Sequence, residues 1–129
     1  MKILLVKAEE VRPLRHLVLR PGQSVDTTYY ELDYHEKTIH LAAILNQKVI
    51  SIATLYPEND SKLKSKNGYR LRGMATHPKY RRKSAATNLM LESFILLKNK
   101  NCDVLWCNAR LNAVDFYQSL GSQVNKDLY

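Results

Sequence analysis

No run of apolar residues in this chain approaches the roughly 18 that a membrane-spanning helix needs, which excludes an ordinary helical membrane protein. The start, MKILLVKAEE, lacks both the long apolar stretch and the small-residue cleavage site of a secretory signal, so a cytoplasmic location is expected. Cysteine is scarce: Cys102 and Cys107 form neither a CxxC pair nor a zinc spacing. The histidines, at positions 16, 35, 40 and 77, are scattered, and no metal site is expected. Both cysteines flank an apolar run, where packing is the ordinary role of a free thiol. Internal repeats are absent too. A length of 129 residues suits one domain with a single core and no disulfide support.

What is present is positive charge, unevenly placed. Residues 1–60 carry 7 Lys/Arg against 8 Asp/Glu, whereas residues 61–129 carry 13 against 4. The whole excess of the +8 chain therefore lies in its second half, and an anionic ligand belongs there. Charge alone does not distinguish nucleic acid from a small phosphorylated cofactor.

Apolar periodicity predicts an order of β-α-β-β-β-α-β-α. Residues 2–8 read as a strand, and Glu9 and Glu10 favour the start of a helix that ends at Pro21-Gly22. Pro13 fits only a first helical turn, so that helix is expected to be short. The segment 24–36 is acidic and tyrosine-rich, and reads as helix or irregular surface. Two β-branched runs, 38–45 and 48–56, predict a hairpin turning at Asn46-Gln47. A lysine-bearing loop (57–68) leads to a strand at 69–76, in which Gly73 signals a bulge or a close backbone approach. A helix from Ser84 to about Asn99, a strand at 103–109 and a short helix at 112–121 complete the order. A hairpin followed by strand-helix-strand implies an α/β fold: a mixed, mostly antiparallel central sheet with helices on both faces.

The segment HPKYRRKSAATNL (77–89) falls between the 69–76 strand and the long helix. The unpaired N–H groups and positive dipole end of such a helix make a natural phosphate site. Small residues at 84–86 leave the backbone approachable, while Arg81, Arg82 and Lys83 add field. Three readings are open at this point: a small phosphorylated ligand, a solvated basic turn, or a nucleic-acid surface. The last lacks interleaved aromatics, since only Tyr80 is close.

Three segments resemble the GNAT superfamily of acetyl-CoA-dependent N-acetyltransferases. RGMATHPKYRRKSAATNLM is similar to the family's strand, pyrophosphate loop and helix, with the signature [Q/R]-x-x-G-x-[G/A]; LWCNAR is similar to the following strand; NAVDFYQSLG is similar to its A-x-x-[F/L]-Y-x-x-x-G helix. The resemblance implies one N-acetyltransferase-like domain over residues 1–129. Its implied activity is direct transfer of an acetyl group from acetyl-CoA to a primary amine on a small molecule or peptide. An acyl-CoA-binding protein without turnover is the alternative, and a nucleic-acid module a more distant one. No membrane partner is expected, and a second copy of the chain is a candidate partner.

Carried over by position, Arg81, Arg82, Lys83, Ser84, Ala85, Ala86 and Thr87 hold the pyrophosphate. Met74, Ala75 and Thr76 pair with the pantetheine arm, and the Met74 N–H polarises the thioester carbonyl in the manner of an oxyanion hole. Tyr117 protonates the departing thiolate, and Asn108, Ala113 and Phe116 line the channel. Ser84 stands where the signature has glycine; either its Cβ crowds the pyrophosphate or its hydroxyl caps the helix instead. Ser122 replaces the usual Phe after Gly121, and the family's C-terminal strand is expected to be missing, either by truncation or because a partner molecule completes the sheet. The 69–76 strand carries no Asp or Glu to act as base, and His77 is a weak candidate for that role. Glu31, Asp33 and Glu36, on the side where the family binds its acceptor, are expected to attract a cationic amine.

Overall fold

A computed structural model of the chain describes residues 1–59, 66–81 and 84–107. The hairpin forms where the sequence places it. Asn46 and Gln47 take φ values of 50° and 67°, the left-handed pair that matches a two-residue turn to the twist of its strands. That turn joins β2 (Ile39–Leu45) to β3 (Lys48–Pro57). β1 (Lys2–Leu5) pairs antiparallel with β2, and β4 (Gly68–Thr76) antiparallel with β3. β5 (Val104–Trp106) runs parallel to β4, which gives a mixed sheet in the order β1-β2-β3-β4-β5.

The two faces are covered by different helices. α1 (Ala8–Leu14) packs Val11 and Leu14 against Ala42, Ile52 and Ala75. α2 (Ala85–Asn99) packs Leu89, Met90 and Leu97 against Leu41, Ile50, Leu55 and Leu71 on the opposite face. α2 ends at Asn99, as its sequence predicts. Asn101 is left-handed (φ 57°), the Cys102 amide bonds the Leu97 carbonyl at 3.0 Å and the Asn101 amide bonds that of Lys98 at 3.1 Å, the pattern of a Schellman cap.

Pro13 corrects one expectation. It lies in the second turn of α1, where it has no N–H for the carbonyl four residues back. The chain does not stop there. It widens into a π turn over Arg15–Leu19, closed by the Arg20 amide on the Arg15 carbonyl at 3.0 Å. Segment 24–36 is irregular, with one 3-10 turn at Val25–Thr28.

Over the described residues β5 pairs with the beginning of β4: Gly68 faces Val104, Tyr69 faces Leu105 and Arg70 faces Trp106. Local contacts hold it there. The Trp106 Nε1–H donates to the Glu58 carbonyl at 2.8 Å, and the Asp103 carboxylate accepts the Lys66 and Asn67 amides at 2.7 and 3.2 Å. Among the described residues, β4 from Arg72 onward has β3 on one side and no paired strand on the other.

Candidate active site

The glycine in β4 produces both of the features its position predicts. Between the Ile52–Ala75 and Thr54–Arg72 pairs, Gly73 and Met74 oppose the single residue Ala53, so β4 bulges. Gly73 has φ 71°, and a Cβ there would sit 3.2 Å from Arg15 Nε and 3.4 Å from the Tyr30 ring. The bulge reverses the facing of the residues after it. Met74 turns toward the α2 core and Ala75 toward the α1 core. The Thr76 hydroxyl is bonded to Ser51 Oγ at 2.7 Å.

From β4 the chain passes through a 3-10 turn (Pro78–Tyr80) to the start of α2. Here Ser84 adopts φ 65°, ψ 11°, the left-handed conformation that glycine takes without strain. This explains physically why a glycine signature falls at this position. It also overturns the expected cap, because the Ser84 side chain makes no capping bond and the residue is exposed. The first helical bond runs from the Asn88 amide to the Ser84 carbonyl at 3.0 Å, leaving the amides of Ala85, Ala86 and Thr87 ahead of the helical ladder. Arg81 is exposed beside them. Small side chains at 85 and 86 and a glycine-like entry fit a pyrophosphate approaching the backbone.

His77 is engaged otherwise than as a base. Its Nδ1 accepts the Lys79 amide at 3.1 Å and its ring meets Tyr80 edge-on. An accepting Nδ1 leaves the neutral ring's proton on Nε2. The expected residues Arg82, Lys83, Asn108, Ala113, Phe116 and Tyr117 lie outside the described residues, as do the 112–121 helix and the chain beyond it.

The acidic segment departs from expectation at its centre. Glu31 and Glu36 are exposed, but Asp33 is buried. Its carboxylate accepts both terminal nitrogens of Arg15 at 2.7 and 3.0 Å, the Tyr56 hydroxyl at 2.6 Å and the Tyr30 amide at 3.0 Å. A carboxylate so enclosed is an internal counter-ion, with no lone pair directed at an incoming amine. Burial alone would raise its pKa; the bonds from Arg15, Tyr56 and the Tyr30 amide overcome that and hold it below the ordinary carboxylate value.

The same cluster fixes His40. Its Nε2 lies 2.9 Å from the Asp33 carbonyl, which only accepts, so Nε2 carries the proton. Nδ1 then accepts from the Thr54 hydroxyl at 2.9 Å, and Thr54 in turn accepts from Arg15 at 2.9 Å. Burial, with Arg15 and Arg12 nearby, keeps His40 below its ordinary pKa. Tyr56 is shifted well up, first by burial and then by the Asp33 carboxylate that its hydroxyl bonds.

Sequence reasoning missed the arginines of this face. Arg15 lies over the Tyr30 ring at 4.2 Å and Arg72 lies over it at 4.3 Å, while Arg12 stacks on Tyr29 at 3.7 Å. The signal was available as arginines at 12, 15 and 20 preceding a tyrosine-rich, acidic segment. Both cysteines behave as packing residues: burial pushes the Cys107 thiol up to about 11 and raises that of Cys102.

The fourth strand thus bulges a short way along the chain before the N-terminus of α2. The model of the acetyltransferase (GNAT) family matches residues 8–121, and the chain belongs to that family. Over 121 residues it is 33% identical to the uncharacterized N-acetyltransferase YitI of Bacillus subtilis, covering 94% of this chain and 81% of that one. The fold is similar to the aminoglycoside acetyltransferase AAC(6')-Iy in complex with a CoA-containing bisubstrate analogue (TM-score 0.78, 19% identity, 95% of this chain and 90% of that one). It is also similar to glucosamine-6-phosphate N-acetyltransferase from Arabidopsis thaliana (TM-score 0.76, 14% identity, 99% and 94%). Acetyl-CoA is the family's co-substrate. No helix among the described residues is long and apolar enough to cross a membrane, and they contain no group of side chains suited to a metal ion.

Proposed function

We propose that the chain is a single-domain N-acetyltransferase that places a primary amine directly against the thioester of acetyl-CoA. The bulge at Gly73–Met74 carries this reading, since it turns the strand backbone beyond the last β4–β5 pair among the described residues and just ahead of the α2 N-terminus. The co-substrate supplies an activated acetyl group, so the protein's tasks are positioning, carbonyl polarisation and proton management.

In this reading the amides of Ala85, Ala86 and Thr87, supported by Ser84 and the Arg81, Arg82 and Lys83 side chains, hold the pyrophosphate. Backbone groups of Met74, Ala75 and Thr76 align the pantetheine arm, and the Met74 N–H polarises the thioester carbonyl. Asn108, Ala113 and Phe116 line the channel. Tyr117 delivers a proton to the leaving sulfur, a role suited to a phenol whose ordinary pKa is far above neutrality. The amine attacks as its neutral form. Its nitrogen forms the new C–N bond, the C–S bond breaks, and the amine's excess proton passes to water.

Two measurements test the proposal. Acetyl-CoA and CoA are expected to raise the melting temperature, and a panel of primary amines to release CoA thiol from acetyl-CoA. Tyr117→Phe is expected to lower kcat at least tenfold while retaining stabilisation by CoA. Stabilisation without thiol release from any amine would leave an acyl-CoA-binding protein. Absence of stabilisation by either compound would overturn the cofactor assignment.

A further inference from the structure

Three arginines meet at one aromatic ring on the α1 side of the sheet. Arg15, Arg72 and Arg20 lie 4.2, 4.3 and 5.9 Å from the centre of a single ring, that of Tyr30. Asp33 neutralises the first of them. Among the described residues, Arg72 and Arg20 have no ion pair, and the Arg20 Nε is buried without a hydrogen-bond partner. Two uncompensated guanidinium groups at one half-buried ring repel each other, and a ring's quadrupole offsets only part of that cost.

A small cleft of about 50 Å³ opens at this point, lined by Tyr30, Glu31, Tyr56, Glu58, Arg70 and Arg72. Its charges can be followed one by one. Glu58 is held by Arg70 at 3.2 Å. Glu31, exposed, makes no ion pair among the described residues. The cleft's own lining balances, Arg70 and Arg72 against Glu31 and Glu58; the further cation is Arg20, which lies outside the lining at the same ring. Arg72 immediately precedes Gly73, and its guanidinium reaches Tyr30 on the α1 side, whereas Met74 packs toward the α2 side. An anion bound by Arg72 would therefore lie close to the bulge but across the sheet from the pyrophosphate cradle.

We propose that the Arg72–Tyr30 cleft is an oxyanion subsite for the acceptor, so that the preferred substrate is a primary amine that also carries a carboxylate or phosphate. The inference rests on the acetyl-transfer reading and refines its acceptor class. Arg72 presents a planar donor fork suited to either oxyanion at the mouth of this small cleft. Arg20 adds charge 5.9 Å from the centre of the Tyr30 ring. The subsite replaces the proposed attraction of a cationic amine by Glu31, Asp33 and Glu36 as the source of acceptor selectivity.

Matched amines differing only in the anion provide the test: phosphoethanolamine against ethanolamine, and an α-amino acid against its amide. Steady-state thiol release with the full chain is expected to give at least a tenfold higher kcat/KM for the anionic member of one pair. Which pair responds distinguishes phosphate from carboxylate. Arg72→Gln should bring that ratio to near one, mainly through KM for the anionic member, and Arg72→Lys should restore part of it. Retained stabilisation by acetyl-CoA checks that each variant is folded. Equal rates within both pairs, a preference for the uncharged members, or a ratio unchanged in Arg72→Gln would overturn the subsite. If acetyl-CoA binds but no amine turns over, the loaded protein's melting temperature is the readout. The anionic member must then raise it more than its partner, and Arg72→Gln must abolish the difference; equal shifts overturn the proposal. Loss of acetyl-CoA binding in the wild-type chain would instead count against the transferase reading itself.

Discussion

The Arg15 guanidinium grips the Asp33 carboxylate with both terminal nitrogens, at 2.7 and 3.0 Å, with both side chains fully buried. The pair ties the π turn after α1 to the acidic segment, directly beneath the Gly73 bulge. Removing one partner leaves a buried charge without its main counter-ion; Asp33 without Arg15 keeps only the more distant Arg12, 3.7 Å away. Arg15→Met is therefore expected to destabilise the protein by about 3–5 kcal/mol, measured by urea unfolding. Asp33→Asn should be similarly costly, because Arg15 then loses its counter-ion. A loss below about 1 kcal/mol for either would mean that the pair is solvated.

His40 and Asp33 both make the fold sensitive to acid. Burial lowers the His40 pKa, so its stabilising contribution is complete above the unfolded value, about 6.5, and is lost as pH falls toward the folded value. The lowered Asp33 pKa acts in the same direction at lower pH, from the unfolded value of about 3.9 downward. Unfolding free energy should thus fall as pH drops below 6.5. Replacing His40 with Gln should flatten the curve just below that pH and leave the low-pH limb intact.

At Gly73 a side chain meets both an unfavourable φ of 71° and the Arg15 Nε 3.2 Å away. The Gly73→Ala variant is expected to lose about 1–3 kcal/mol of stability. Because Met74 follows directly, thiol release should fall by more than the folded fraction does. Parallel melting and activity curves would check the distinction.

Ser84 offers the opposite case. It holds φ 65° without a side-chain bond to compensate. Ser84→Gly should gain about 1 kcal/mol by relieving left-handed strain, less the entropy that glycine adds to the unfolded chain. Affinity for CoA should not decrease, and calorimetric titration can measure it. Ser84→Val, branched at a left-handed position, should be destabilising.

Much of the framework was legible in the chain because local rules and tertiary packing agree. Asn46-Gln47 can take the two left-handed conformations of a tight hairpin, Gly73 can take the one the bulge needs, and Asn101 can end α2. The α2 stripe buries Leu89, Met90, Ser93 and Leu97 at helical spacing. Pro13 was misread because a proline's local preference gives way when the following turn can widen to a π geometry and keep its buried face. The α/β fold and the GNAT resemblance both held. Residues 108–129, which include Tyr117, remain outside what the structure describes.

The sequence by itself determined the strand and helix order as far as β5, the glycine-dependent bulge and the small-residue entry to α2. Each depends on backbone conformations that a few adjacent residues permit or forbid. Only the tertiary structure decided the roles of the charges. Asp33 looked like one of several surface acids, and Arg15 and Arg72 like ordinary cations, because a charge's effect depends on neighbours distant in sequence and on the water around it. Folding buried Asp33 against Arg15, 18 residues away, and left Arg72 beside Tyr30 with no counter-ion among the described residues.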